Sequence, residues 1–252
     1  MKRFFWAFFI VVLFLSCKTT PNTQDTLTTL FRFPSGEIGT VVDNTVKFYY
    51  HDDNKSLNEL PKMELTLPDG YKSVFNFSTD EIAGIGVIVG NTAKFYYYDD
   101  DNGWLEEPKM EFTLPGGSKS VFQFYDYNVA GVEVGNAIKF YNFSHDRWYE
   151  EPHMEFTLPS GYKSVFNYSN DEFFRVGVVV GNTAKFFSLE VKPKEDFIGW
   201  VEKQEMELTL PNKYDNVFST LYNNFYIIMV IGDNTATAYH FNDSDGWISE
   251  KR

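Results

Sequence analysis

Four tryptophans, Trp104, Trp148, Trp200 and Trp247, recur at one place in successive stretches of the chain, each just after an acidic segment. Leu57 holds the corresponding place in the first stretch. An indole is a flat apolar platform on which a sugar ring can stack, and Asp101, Asp146 and Asp245 close by can accept hydrogen bonds from sugar hydroxyls. These residues are the candidate ligand contacts. The same recurrence also suits wedging between structural units, because Leu57 can replace Trp as a wedge but not as a stacking platform. Recurrent aromatics in repeats usually fill a shared core, which favours the wedge.

Other chemistries have weaker footing. The run Asp99-Asp100-Asp101-Asn102-Gly103 lacks the alternate acids, sixth-position Gly and later Glu of a helix-loop-helix calcium site, and it reads as an Asx-rich turn. Of His51, His145, His153 and His240, no two stand at metal-ligand spacing. Nucleophile-elbow, Walker and dinucleotide motifs are absent, so no catalytic residue, metal or cofactor is expected. Asp80, Asp126 and Asp171 sit on loops where near-equivalent carboxylates could converge, which keeps a glycoside hydrolase as the enzymatic alternative.

The elements that position these residues come from a repeat. Val42-Asp43-Asn44-Thr45-Val46-Lys47-Phe48-Tyr49 returns as Val89-Gly90-Asn91-Thr92-Ala93-Lys94-Phe95-Tyr96, as Val134 to Tyr141 and as Val180 to Phe187, with a diverged copy from Ile231 to Ala236. The copies of the asparagine, Asn44, Asn91, Asn136, Asn182 and Asn234, fall 47, 45, 46 and 52 residues apart. A second landmark, Met-Glu-Phe/Leu-Thr-Leu-Pro, begins at Met63, Met110, Met154 and Met206, and Val-Phe follows it each time. Within one unit, Val74 to Phe77, Gly86 to Val89, Thr92 to Tyr98 and Met110 to Leu114 read as strands, with Gly90-Asn91 as a two-residue hairpin loop. Four strands per unit of about 46 residues, five times in tandem, predict an all-β five-bladed β-propeller over 27–252. The first inner strand is expected at Leu30 to Phe33, and the missing outer strand of the fifth unit is expected from Asp25 to Thr29. The repeats resemble those of β-propeller proteins in general. Hemopexin-like repeats and tachylectin-type lectins are similar in period and strand content, without a diagnostic motif of either. That resemblance implies a fold and not a ligand.

Two faces follow from this arrangement. Loops holding Asp80, Glu81, Asp126, Asp171, Glu172, Asp99 to Asp101, Asp146, Asp243 and Asp245 open on one side. The Gly-Asn hairpins and Tyr71-Lys72, Ser118-Lys119, Tyr162-Lys163 and Lys213-Tyr214 lie on the other. An acidic face and a lysine-ringed face are expected, and both sets are also ordinary for solvated loops.

Lys and Arg number 22 against 35 Asp and Glu, a net charge of −13, which repels phosphate backbones and excludes nucleic acid as a partner. Cys17 is the sole cysteine, so no internal disulfide exists. Lys2 and Arg3 precede an apolar run from Phe4 to Leu15, the layout of a signal peptide over 1–16. Leu15-Ser16-Cys17 resembles the lipobox of bacterial lipoproteins, although Phe14 stands where Leu is usual. The resemblance implies lipidation of Cys17, a flexible tether over 17–26 and membrane attachment through the lipid. Lys18 after the cysteine implies the outer membrane or cell surface of a bacterial envelope. The sequence thus points to a non-catalytic, lipid-anchored propeller that recognises a glycan or an envelope or host protein. An interaction scaffold or structural envelope component is the other reading.

Overall fold

The segment Gly84–Val89 is buried from Gly84 to Ile88, and Val129–Val134 and Arg175–Val180 are buried in the same way through their central residues. A strand can be apolar along its length only where both faces are covered. In the computed structural model the covering comes from neighbouring sheets. The structure describes residues 30–251 except 34–35, 53–55, 79–82, 125–127, 170–172, 193–196, 223–224, 233–234 and 243.

The chain forms five antiparallel sheets arranged in a ring, each a four-stranded meander. In the second blade the order outward is Tyr71–Asn76, Gly84–Val89, Thr92–Asp99 and Gly103–Glu106. The inner strands Leu30–Arg32, Tyr71–Asn76, Ser118–Gln123, Tyr162–Asn167 and Asn216–Tyr222 neighbour one another in turn, and the last meets the first, which closes the ring. This is the five-bladed propeller that the repeat predicted.

The core lies between blades. One buried cluster joins Phe33, Phe48 and Met63 of the first blade to Val74, Ile85 and Val87 of the second. Others join the second blade to the third, the third to the fourth, and the fourth to the fifth. Near the axis, Phe75, Phe122 and Phe166 lay their rings over Gly86, Gly131 and Gly177, where a Cβ would come within 2.0–2.5 Å of the ring. Polar stitches join the inner strands: Gln123 accepts from the Ser78 N–H at 3.1 Å and donates to the Ser78 carbonyl at 2.6 Å.

The fourth strand differs from the sequence expectation. It is Gly103–Glu106, the tryptophan-bearing segment, and Met110 ends a 3-10 turn over Pro108–Met110. Only Phe112–Thr113 of the Met-Glu-Phe-Thr-Leu segment is strand, and it pairs with the start of the third strand. Pro108 has no N–H to continue a ladder, so the outer edge is split into two short pieces by the turn. The same split recurs at Pro61–Met63, Pro152–Met154 and Gln204–Met206. The fifth blade carries its own fourth strand, Gly246–Lys251, where the sequence suggested one from the N-terminus. Asp25 to Thr29 lie outside the described residues, as do the signal peptide, Cys17 and the tether.

Candidate functional site

The tryptophans are wedges. Each indole is half-buried and donates from Nε1 to a methionine carbonyl of the preceding blade: Trp104 to Met63 at 2.5 Å, Trp148 to Met110 at 2.7 Å, Trp200 to Met154 at 2.8 Å and Trp247 to Met206 at 2.6 Å. Each also packs on phenylalanines of that blade. The ring centroids of Trp148 and Phe95 are 5.5 Å apart, and those of Trp200 and Phe140 are 5.6 Å apart. The polar atom of every indole is therefore committed to the fold. Leu57 occupies the equivalent register position in the first blade, opposite His51.

The aspartates sit away from the packed rings, on exposed turn tips between the third and fourth strands. Asp101 donates its N–H to the Asp99 carboxylate at 3.1 Å. Asp146 takes a positive φ of 60° and meets Lys109 of the preceding blade at 3.2 Å. Asp245 accepts from the Ser244 hydroxyl at 2.9 Å. Asp80, Glu81, Asp126, Asp171, Glu172 and Asp243 lie outside the described residues. Among the described residues, no group of three or more His, Cys, Asp or Glu side chains could hold a metal ion.

The strand register gathers a different set. Tyr96 pairs with Glu106 and Tyr98 with Trp104, so these side chains share one face of the second blade, and Lys94 joins them by alternation. That face packs toward the preceding blade: the equivalent Tyr141 ring of the third blade, itself buried, lies 4.7 Å from Phe112 of the second. Lys94 Nζ lies 2.7 Å from Glu106 and 3.9 Å from Glu111. Lys139 repeats this with Glu150 at 2.7 Å and Glu155 at 4.0 Å. The tyrosine hydroxyls donate to the same carboxylates, Tyr96 to Glu106 at 3.2 Å and Tyr141 to Glu150 at 3.5 Å.

The other blades carry the set in part. Lys185 and Glu202 pair at 2.6 Å beside Trp200, with Phe187 in place of tyrosine. Lys47, Tyr49 and Glu59 are present in the first blade without a tryptophan. In the fifth, Thr237 and Ser249 replace the charged pair beside Tyr239 and Trp247. Lysine, tyrosine, glutamate and tryptophan therefore coincide in the second and third blades. Sequence reading missed this set, although its lysine stands inside the repeated Asn-Thr-Ala-Lys-Phe-Tyr landmark and its glutamate two residues after Trp.

Electrostatics keep the set poised. Hydrogen bonds donated to the glutamates hold the Lys94 and Lys139 ammonium groups above their ordinary range. Burial, reinforced by Glu106, pushes the Tyr96 phenol up to about 12. Its neutral form is favoured by folding, so that contribution is whole below the unfolded value of 10.0 and is lost as pH rises through about 12. Alkaline titration followed by phenolate absorbance is expected to show a late step near pH 12 that Tyr96→Phe removes. Persistence of that step in the variant would contradict the assignment.

Comparison with known proteins gives the fold a context. The chain superposes on a fucose-specific lectin from Aleuria aurantia with TM-score 0.51 and 12% identity, covering 88% of this chain and 76% of that one. A second structure of the Aleuria aurantia lectin, described as a six-bladed β-propeller with a novel fucose recognition mode, gives 0.51 at 11% identity over the same shares. The shared property is the propeller fold. Five blades close the present ring, against six in that lectin. No protein-family model matches the chain, and no curated protein matches it in sequence.

Proposed function

We propose that this protein is a carbohydrate-binding propeller that holds neutral sugars, without transforming them, in the grooves of its second and third blades. The observation that carries the reading is the coincidence of Lys94, Tyr96, Trp104 and Glu106, repeated as Lys139, Tyr141, Trp148 and Glu150. Adjacent hydroxyls of a pyranose can accept from an ammonium and donate to a carboxylate at once. A Lys–Glu pair at 2.7 Å presents both partners already aligned. The tyrosine hydroxyl adds a third polar contact, and the tryptophan on the same strand face offers apolar surface to sugar C–H groups. Each groove sets two carboxylates against one ammonium. That charge ratio disfavours acidic sugars and favours neutral ones. The fold is one that the Aleuria aurantia lectin uses to bind fucose, which supports the reading at the level of architecture. Two similar grooves on one rigid ring bind a repetitive glycan with avidity beyond either site.

A glycan array probed with the purified protein is expected to report neutral glycans above sialylated or sulfated ones. A blank array, or a signal unchanged in Lys94→Met/Lys139→Met, would overturn the reading. For the address we propose attachment to the bacterial envelope, at the outer membrane or cell surface, through lipidated Cys17. The support is the lipobox-like Leu15-Ser16-Cys17 after an apolar run. Labelling with a palmitate analogue should mark the wild type and spare Cys17→Ala; an unlabelled wild type would remove this part of the proposal.

A further inference from the structure

The hairpin turns of successive blades meet the next blade in a regular way that breaks at one seam. In the first four blades the hairpin turn is sealed by the next blade wherever that blade supplies a tyrosine. Tyr71 donates to the Asp43 carbonyl, Tyr162 to Gly135 at 2.8 Å and Tyr214 to Gly181 at 2.7 Å. The turns leading into the inner strands of the second, third and fourth blades depend on a glycine with positive φ, 74° at Gly70, 83° at Gly117 and 76° at Gly161. Lys213 stands at that place in the fifth blade, and its φ is not positive. A lysine is strained in that conformation, so the backbone takes another route.

The new route has visible consequences. The inner strand of the fourth blade pairs from Tyr162 onward, whereas that of the fifth begins at the later equivalent position, Asn216, opposite Ile231. The displaced segment presses on Gly232, which replaces the valines at 89, 134 and 180. A Cβ there would lie 2.5 Å from the Lys213 carbonyl oxygen and 2.8 Å from Tyr214 Cα. Between this segment and the fourth blade a cleft of about 700 Å³ opens, lined by Lys163, Asn182, Asn212, Lys213, Tyr214, Asp215 and their neighbours. That volume suits a small molecule.

The lining specifies the chemistry. Lys163 Nζ donates to the Tyr214 hydroxyl at 3.2 Å and lies 5.2 Å from the ring centroid, so its ammonium is held at the cleft wall with further N–H groups to offer. Lys213 supplies a second positive charge and Asp215 one negative, a net positive cleft in a chain of charge −13. Asn182 donates to Asn212 at 3.3 Å, and the remaining amide groups can both give and accept hydrogen bonds. Val217 is the one aliphatic side chain among the lining residues, beside the Tyr214 ring, which disfavours a lipid.

We propose that this cleft is a second, separate binding site for a small polyhydroxylated carboxylate, the chemical class of a uronic acid. The carboxylate meets Lys163 and Lys213, and the hydroxyls meet the asparagine amides. The site is independent of the neutral-sugar grooves, and it prefers the anionic ligands that those grooves disfavour.

Calorimetric titration of the intact protein with glucuronate, and with glucose as the uncharged control, tests the proposal. Glucuronate is expected to bind, glucose to bind at least about tenfold more weakly, and the glucuronate affinity to fall with added salt. Lys213→Met should weaken glucuronate about tenfold, while Asp215→Asn, at an exposed neighbouring position, should tighten it. Opposite effects of two surface substitutions cannot come from a loss of folding. Lys94→Met/Lys139→Met should leave glucuronate binding unchanged, so failure here and failure of the groove reading are distinguishable. No glucuronate binding, equal binding of glucose, or a weaker Asp215→Asn would each overturn the proposal.

Discussion

Trp148→Ala is expected to lower unfolding free energy by about 3 kcal/mol, from lost aromatic packing, a residual cavity and one deleted hydrogen bond. Its ring centroid lies 5.1 Å from Phe112, 5.3 Å from Phe143, 5.5 Å from Phe95 and 6.2 Å from Phe77. Three of those partners belong to the preceding blade, so the loss falls on an interface and not on one sheet. Trp148→Phe keeps a smaller wedge and forfeits the bond to the Met110 carbonyl at 2.7 Å, which together should cost about 1–2 kcal/mol. Urea denaturation with an unchanged m-value separates the two variants. An exposed stacking platform would cost under about 0.5 kcal/mol on truncation, and that result would contradict the wedge.

Lys94→Met/Lys139→Met is expected to weaken neutral-glycan binding about 10–100-fold per groove, because a hydrogen bond to a charged group contributes about 1.5–3 kcal/mol. Stability should change by less than about 1 kcal/mol per site. The pairs with Glu106 and Glu150 are solvent-exposed by roughly a third on each side, and such surface pairs contribute little to folding. The contrast with Trp148→Ala matters: that substitution strikes the contact between blades together with one apolar surface of the third-blade site, whereas the lysine substitutions strike the polar contacts and spare the ring of blades. Methionine keeps the apolar stem of the lysine over the strand, so a loss of binding cannot be charged to lost packing. Binding that survives both substitutions would place recognition elsewhere on the propeller.

Sequence periodicity carried the architecture because its landmarks recur in phase, and the Gly-Asn hairpin fell where it was expected between Val89 and Thr92. The outer strand was misplaced for a physical reason. Met110 to Leu114 alternates apolar and polar residues as a strand does, yet Pro108 starts a 3-10 turn that consumes Met110. The real strand, Gly103–Glu106, is only four residues long, too short for a periodic signal to stand out. The paired landmarks also hid the charged grooves. Lysine and glutamate stand 12 residues apart in the first two blades, 11 in the third and 17 in the fourth, so no fixed spacing marks them. Only the antiparallel register, which absorbs loop length, brings each pair together. The tryptophans were legible as a repeat, and their dual reading followed from Leu57. Their contact with methionine carbonyls was not legible, since it joins different blades 38 to 46 residues apart.

Binding stoichiometry for a neutral sugar selected from the array tests the account most directly, because lysine, tyrosine, tryptophan and glutamate coincide in the second and third blades alone among those described. Calorimetric titration should give about two sites of wild-type affinity per chain in the wild type, about one in Lys94→Met, and none of that affinity in Lys94→Met/Lys139→Met. A stoichiometry that stays the same through this series would contradict the claim that the inter-blade grooves hold the sugar.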